Sequence, residues 1–258
     1  MRGELRALIN SPLLVFVFSL IALRGSVWIG AWLRSQRKLE QHDPEYFGVV
    51  LGATLTLLGL IIGFSFSMAV SRYDQRKNYE EEEANAIGTE YLRADLLPAT
   101  DCANVTSLLR KYLDQRMLFY RARDEHQLER INAYTAQLQN ALWSAVRGPA
   151  AEHPTPVSAL VVAGMNDVLN SQGYTQAAWW NRIPIEAWGL MVAIGICGSV
   201  LLGYAAHSTR WRHSFSLVLP FLLSISFLLI ADIESPRHGL IRVHPQNLLS
   251  LSRSLHGH

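Results

Sequence analysis

The residues of this chain that can do chemistry are few and scattered. Four consecutive glutamates, Glu80 to Glu83, are the densest charge. They could attract cations, but consecutive helical residues point in different directions, so they do not converge on one ion. The spacing predicts a solvated helix face, or, in an oligomer, a ring that sets the charge of a vestibule. Nine histidines and two distant cysteines, Cys102 and Cys197, form no zinc spacing and no disulfide framework. No phosphate-binding glycine loop, nucleophile elbow or paired carboxylates occur, which argues against an enzyme and implies no cofactor and no metal. Asn104-Val105-Thr106 matches a glycosylation sequon, which is without meaning on a cytoplasmic helix.

Three features stand out instead. Arg24 interrupts an apolar run, where a charge is either functional or snorkels from a tilted or broken helix. Asp232, Glu234, Arg237 and Arg242 follow the last apolar run closely and suit a structural ion network at the inner membrane surface. Thr56, Leu60 and Phe64 recur every four residues and share one helical face, which Ser67 and Ser71 extend. That face is either a helix-packing surface or the wall of a pore whose apolar constriction gates by dewetting.

The elements that must position these residues are read from hydropathy. Half of the 258 residues are hydrophobic and 17% are charged, against about 25% charged in soluble domains. The net charge of +2 gives no footprint for nucleic acid. Four apolar segments appear, at about 12–33, 47–71, 184–206 and 213–231, and about 20 apolar residues cross a bilayer. The first resembles a signal peptide but lacks a small-residue cleavage site and is read as an uncleaved span. In the second, Gly48, Gly52, Gly59, Gly63, Ser65 and Ser67 let helices approach closely or line a cavity. The third opens at Ile183-Pro184, and Pro220 is expected to kink the fourth. Trp28, Trp32, Trp179, Trp180 and Trp188 lie near segment ends, as an aromatic belt would.

Residues 72 to 182 read as helices throughout. The first continues the second span through Arg76/Glu80 and Lys77/Glu81 pairs and ends at Pro98. Asp101 is expected to cap the next, a third is expected to stop at Gly148-Pro149, and a fourth carries Gly173 as its expected C-cap. No flexible linker sets this insert apart, so it is expected to pack against the inner ends of the spans as part of one unit, 1–258. With the N-terminus inside, the inner flanks hold Arg2, Arg6, Arg72, Arg76, Lys77, Arg182, Arg237, Arg242 and Arg253, against Arg34, Arg37, Lys38, Arg210 and Arg212 outside. That bias predicts both termini and the insert in the cytoplasm.

The stretch Gly63-Phe64-Ser65-Phe66-Ser67-Met68-Ala69-Val70-Ser71-Arg72-Tyr73 resembles the second membrane helix of bestrophins. Two further stretches, residues 83–98 (EANAIGTEYLRADLLP) and 232–243 (DIESPRHGLIRV), are similar to the bacterial bestrophin-like membrane family, and segment order agrees over nearly the whole chain. The resemblance implies an all-α polytopic membrane protein of bestrophin-like fold, with four transmembrane helices and a helical cytoplasmic insert. It implies a homopentameric channel, mostly for anions, in a bacterial inner membrane. Its partners would be other copies of itself, the lipid bilayer and small inorganic ions. Phe64, Leu60 and Thr56 fall on the family's pore-neck positions, with Thr56 polar where the family is usually apolar; Ser67 and Ser71 would line the pore. Bestrophins of animals carry an acidic calcium clasp after the last span. Here only Asp232 and Glu234 follow it as acids, so calcium gating is not expected. The alternative is a membrane-anchored helical sensor or scaffold without an open pore.

Overall fold

The computed structural model describes residues 11–36, 44–205 and 217–256, without the side chains of residues 44–47. Among these, every regular element is helical. Eight α-helices follow in order: α1 Pro12–Gln36, α2 Pro44–Arg93, α3 Ala99–Arg121, α4 Glu125–Glu152, α5 Pro156–Trp180, α6 Ile185–Ala205, α7 Val218–Glu234 and α8 Gln246–His256, with a 3-10 turn at Ala94–Leu96. The basic residues Arg2, Arg6, Arg37, Lys38, Arg210 and Arg212 lie outside the described residues, as does the expected start of the fourth span at 213–216.

Two compact units partition the chain. The first comprises Met1–Ser71 and Arg182–Ile241, the second Arg72–Asn181 and Arg242–His258. In the first, α1 packs on α6 and α7. Glycines set the α1–α6 approach: a Cβ on Gly30 would run into the Val200 carbonyl, and one on Gly203 into the Val27 carbonyl. Small residues at such a crossing bring two backbones into van der Waals contact, which drives helix association where lipid removes the hydrophobic force. Arg34, in the last turn of α1, donates to the Tyr204 and Ala205 carbonyls at 2.7 and 3.2 Å, capping the end of α6. Arg24 lies mid-way along an unbroken α1 and is half-buried, so of the alternatives the broken helix is set aside.

Three stretches among the described residues are long and apolar enough to cross a bilayer: Pro12–Gln36, the apolar part of Gly48–Leu96, and that of Pro156–Ala205. Helix α7, with 17 described residues, falls short of that length. Pro220 sits in its first turn, where the missing N–H costs nothing, rather than at a kink.

The second unit is a soluble-type core in which α3, α4 and α5 pack around the charged half of α2, with α8 against α3. Val105, Leu109, Tyr112 and Leu113 of α3 are completely buried, as the helical spacing requires. Several local expectations are corrected. The helix α3 begins before Asp101, which lies in the first turn and makes no side-chain cap. Helix α4 runs through Gly148-Pro149 to Glu152; Pro149 removes one donor near the C-terminus, and the His153 N–H still closes onto its carbonyl at 3.0 Å. Gly173 is interior to α5, which continues to Trp180. Its N-terminus is a capping box between Thr155 and Ser158, with Pro156 following. Not all tryptophans form a belt. Trp28, Trp32 and Trp180 are exposed, whereas Trp179 is buried between Phe119 and Tyr120, and Trp188 packs edge-on to Phe227.

Candidate functional site

Helix α2 presents two different faces in its apolar half. Leu58, Ser65 and Ala69 are buried, and Thr54 and Leu55 reach Gly198 of α6. The other side is open. Leu60 is 54% and Phe64 63% exposed, and Thr56, Ser67 and Ser71 are exposed with them. The structure thus places all five residues on one unpartnered face of one helix, as the four-residue spacing demands. Among the described residues, no other helix meets Gly48, Gly52, Gly59 or Gly63: a Cβ on any of them would find nothing within 4 Å. Thr56 is less available than its hydroxyl suggests, because Oγ1 donates to the Gly52 carbonyl at 2.9 Å. Its proton is spent inside the helix, and only the oxygen lone pairs face outward.

The charged half of α2 holds what the sequence reading missed. Glu81 and Glu82 are exposed, but Glu80 and Glu83 are buried, so the predicted solvated face is only half of the run. The buried stripe is Arg76, Glu80, Glu83, Ile87, Glu90 and Ala94, spaced alternately by four and three. That spacing matches a helix core seam. The signal was in the sequence, carried by Ile87 and Ala94, but glutamates occupied half the seam.

Each buried group has its own environment. Glu83 is ion-paired with Arg116, and both side chains are wholly enclosed. Its second oxygen accepts from Tyr120 Oη at 3.3 Å and Thr175 Oγ1 at 3.2 Å. Burial works against the Arg116 charge, but Glu83 outweighs it and holds the guanidinium more firmly protonated than usual. The guanidinium also lies over the Phe119 ring at 4.5 Å. Burial pushes the Tyr112 and Tyr120 hydroxyls up, so both stay neutral. Glu80 takes the Leu248 N–H at 3.0 Å and the Asn247 amide at 2.7 Å, satisfying a free donor in the first turn of α8. Burial still raises its pKa above the usual carboxylate value, against those donors. Arg76 donates Nε–H to the Ala178 carbonyl at 3.3 Å.

After α7, both acids bind main chain. Asp232 accepts the N–H groups of Leu240 and Ile241 at 2.7 and 2.8 Å, and Glu234 accepts that of Ile183 at 2.8 Å. Gly239 turns so close to the Asp232 carbonyl that a Cβ has no room. Arg237 lies in the same loop, and Arg242 opens the C-terminal segment of the second unit. Among the described residues no cluster of His, Cys, Asp and Glu is arranged to hold a metal ion.

The sequence profile of the bestrophin-like domain matches residues 16–248. The chain belongs to the bestrophin-like family. Characterised bestrophin-like proteins are ion channels in membranes. The fold agrees with a bacterial bestrophin homologue from Klebsiella pneumoniae solved by zinc anomalous phasing, at 14% identity and TM-score 0.67, covering 93% of this chain and 96% of that one. Two point-substituted forms of the Klebsiella homologue match similarly, at 15% and 13% identity with TM-scores of 0.67 and 0.68, over 93% of this chain and 97% and 95% of theirs. Among curated proteins none matches the chain.

Proposed function

We propose that this bestrophin-like protein is an oligomeric channel, most simply a homopentamer, that passes small ions through a central pore lined by α2. The observation that carries the reading is the open Thr56–Leu60–Phe64 face. A helix whose Gly48, Gly52, Gly59 and Gly63 meet nothing among the described residues, and whose exposed stripe mixes Leu60 and Phe64 with three hydroxyl residues, is poorly suited to lipid alone. Repeated around a symmetry axis, the stripe makes a narrow apolar neck at Leu60 and Phe64, wetter at Thr56, with Ser67 and Ser71 farther along the wall. Family membership supports the same assignment.

Permeation is passive. No carboxylate lies between Phe47 and Ser71, so the wall has no acidic filter, which favours anions. Asp232, Glu234, Arg237 and Arg242 act as a structural network at the inner surface. The membrane is the bacterial inner membrane, with four spans, both termini and the residue 72–182 insert on the cytoplasmic side, and the whole chain working as one unit.

Liposomes loaded with chloride or potassium test the reading directly. Reconstituted protein should release anions faster than cations, and mass measurement of the detergent-solubilised particle should give a pentamer. A monomer without flux would leave a membrane-anchored sensor or scaffold.

A further inference from the structure

Among the three buried acids of the α2 stripe, Glu90 alone lacks donors. It has no exposed surface, and among the described residues neither carboxyl oxygen accepts a hydrogen bond. Glu80 and Glu83 each take several. An enclosed carboxylate without donors loses its hydration and gains no hydrogen bond in return, so the neutral acid is the form that packs.

Its position is at a helix contact. Gly164, buried on α5, forms a notch there: a Cβ at that position would collide with Oε2 of Glu90 and Nη1 of Arg93. Arg93 lies one turn on along α2 and favours ionisation, and Asp167, one turn past Gly164 on α5, opposes it. Other nearby charges are engaged elsewhere. Arg110 of α3 donates to Tyr91 Oη at 2.7 Å, and Asp95 of the 3-10 turn accepts from Cys102 Sγ at 3.4 Å.

We propose that Glu90 is a proton-operated latch between α2 and α5. Protonated, its carboxyl fills the Gly164 notch as a neutral group. When the proton leaves to solvent, the anion repels Asp167 and draws in water, and the two helices separate locally. Burial, eased by Arg93 and reinforced by Asp167, moves the acid up to about 8 in the packed state, against 4.5 ordinarily. The packed form therefore holds more protons than the opened form between these values. Its stability is complete below about 4.5, falls as pH rises, and stops falling above about 8.

The device is independent of the pore assignment, and so is its test. Hydrogen–deuterium exchange of the full-length protein in detergent, from pH 5 to 9 and corrected for intrinsic rates, should show residues 84–97 and 158–172 losing protection. The loss should approach about tenfold per pH unit and level off near pH 8. Glu90→Gln keeps the shape without the charge and should give a flat profile. Asp167→Asn should move the levelling point to lower pH, and it serves as the decisive variant if Glu90→Gln does not fold. A wild-type profile as flat as that of Glu90→Gln, or an Asp167→Asn profile that does not move, overturns the latch.

Discussion

Glu83 and Arg116 form an ion pair from which solvent is wholly excluded, between α2 and α3 in the second unit. Thr175 from α5 and Tyr120 from α3 complete the shell around the carboxylate. The pair ties three helices to one charge.

Removing one partner should therefore be costly. Arg116→Met alone leaves Glu83 buried and unpaired, with an expected loss of about 3–5 kcal/mol. Replacing both, as Glu83→Leu with Arg116→Met, should recover most of that loss, because a well-packed apolar pair carries no desolvation penalty. Thermal melting of the purified protein and of the two variants checks this as a double-mutant comparison. Equal melting of the single and double variants would contradict it.

The α1–α6 crossing makes a second prediction. Gly203→Ala places a methyl group on the Val27 carbonyl, and overpacking of this kind costs about 1–3 kcal/mol. Gly59→Ala has open space among the described residues and should leave the fold of a protomer intact. If Gly59 meets a second copy, this variant should instead weaken assembly, read by native mass measurement at unchanged helical content.

Phe64 is the sharpest test of the pore. If its ring forms the neck, Phe64→Ala should widen and wet it, raising liposome flux while assembly persists. Leu60→Ala should act the same way but less. Were Phe64 a packing residue between copies, truncation would open a cavity costing about 3–5 kcal/mol by soluble-core experience. The oligomer would then melt lower with no gain of flux, and the neck assignment would fall.

Orientation has its own measurement. A single cysteine at Asp124, the exposed N-cap of α4, should react only with reagents on the cytoplasmic side. Labelling from outside intact cells would reverse the orientation. A cysteine at Gly257, beyond the described residues, should behave identically.

Three of the four expected spans were legible because lipid imposes a coarse rule: long, apolar and uncharged. The Thr56–Leu60–Phe64 face was legible because a period of four needs no knowledge of neighbours. What sequence reasoning misplaced were local stops and partners. Gly173 and Pro149 carry the marks of helix ends, yet tertiary packing of α4 and α5 carries the helices past them. Glu83 and Glu90 look like surface residues because burial of a glutamate depends on what stands opposite. Arg116 and the Gly164 notch are remote in sequence, so no local pattern announces them.

The cap that Glu80 places on α8 bears on how the chain is made. Leu248 is fully buried in the second unit's core, and its N–H is held by a carboxylate at residue 80. During synthesis, residues 72–181 are complete while the stretch 182–241, with its apolar helices, is still to be translated. Until α8 arrives, Glu80 has none of the donors that α8 brings. A leucine seam waiting in water would invite aggregation. Glu80 waits hydrated and gives up its water when Leu248 and Asn247 supply the replacement donors, so α8 docks onto a group that water had kept satisfied until then.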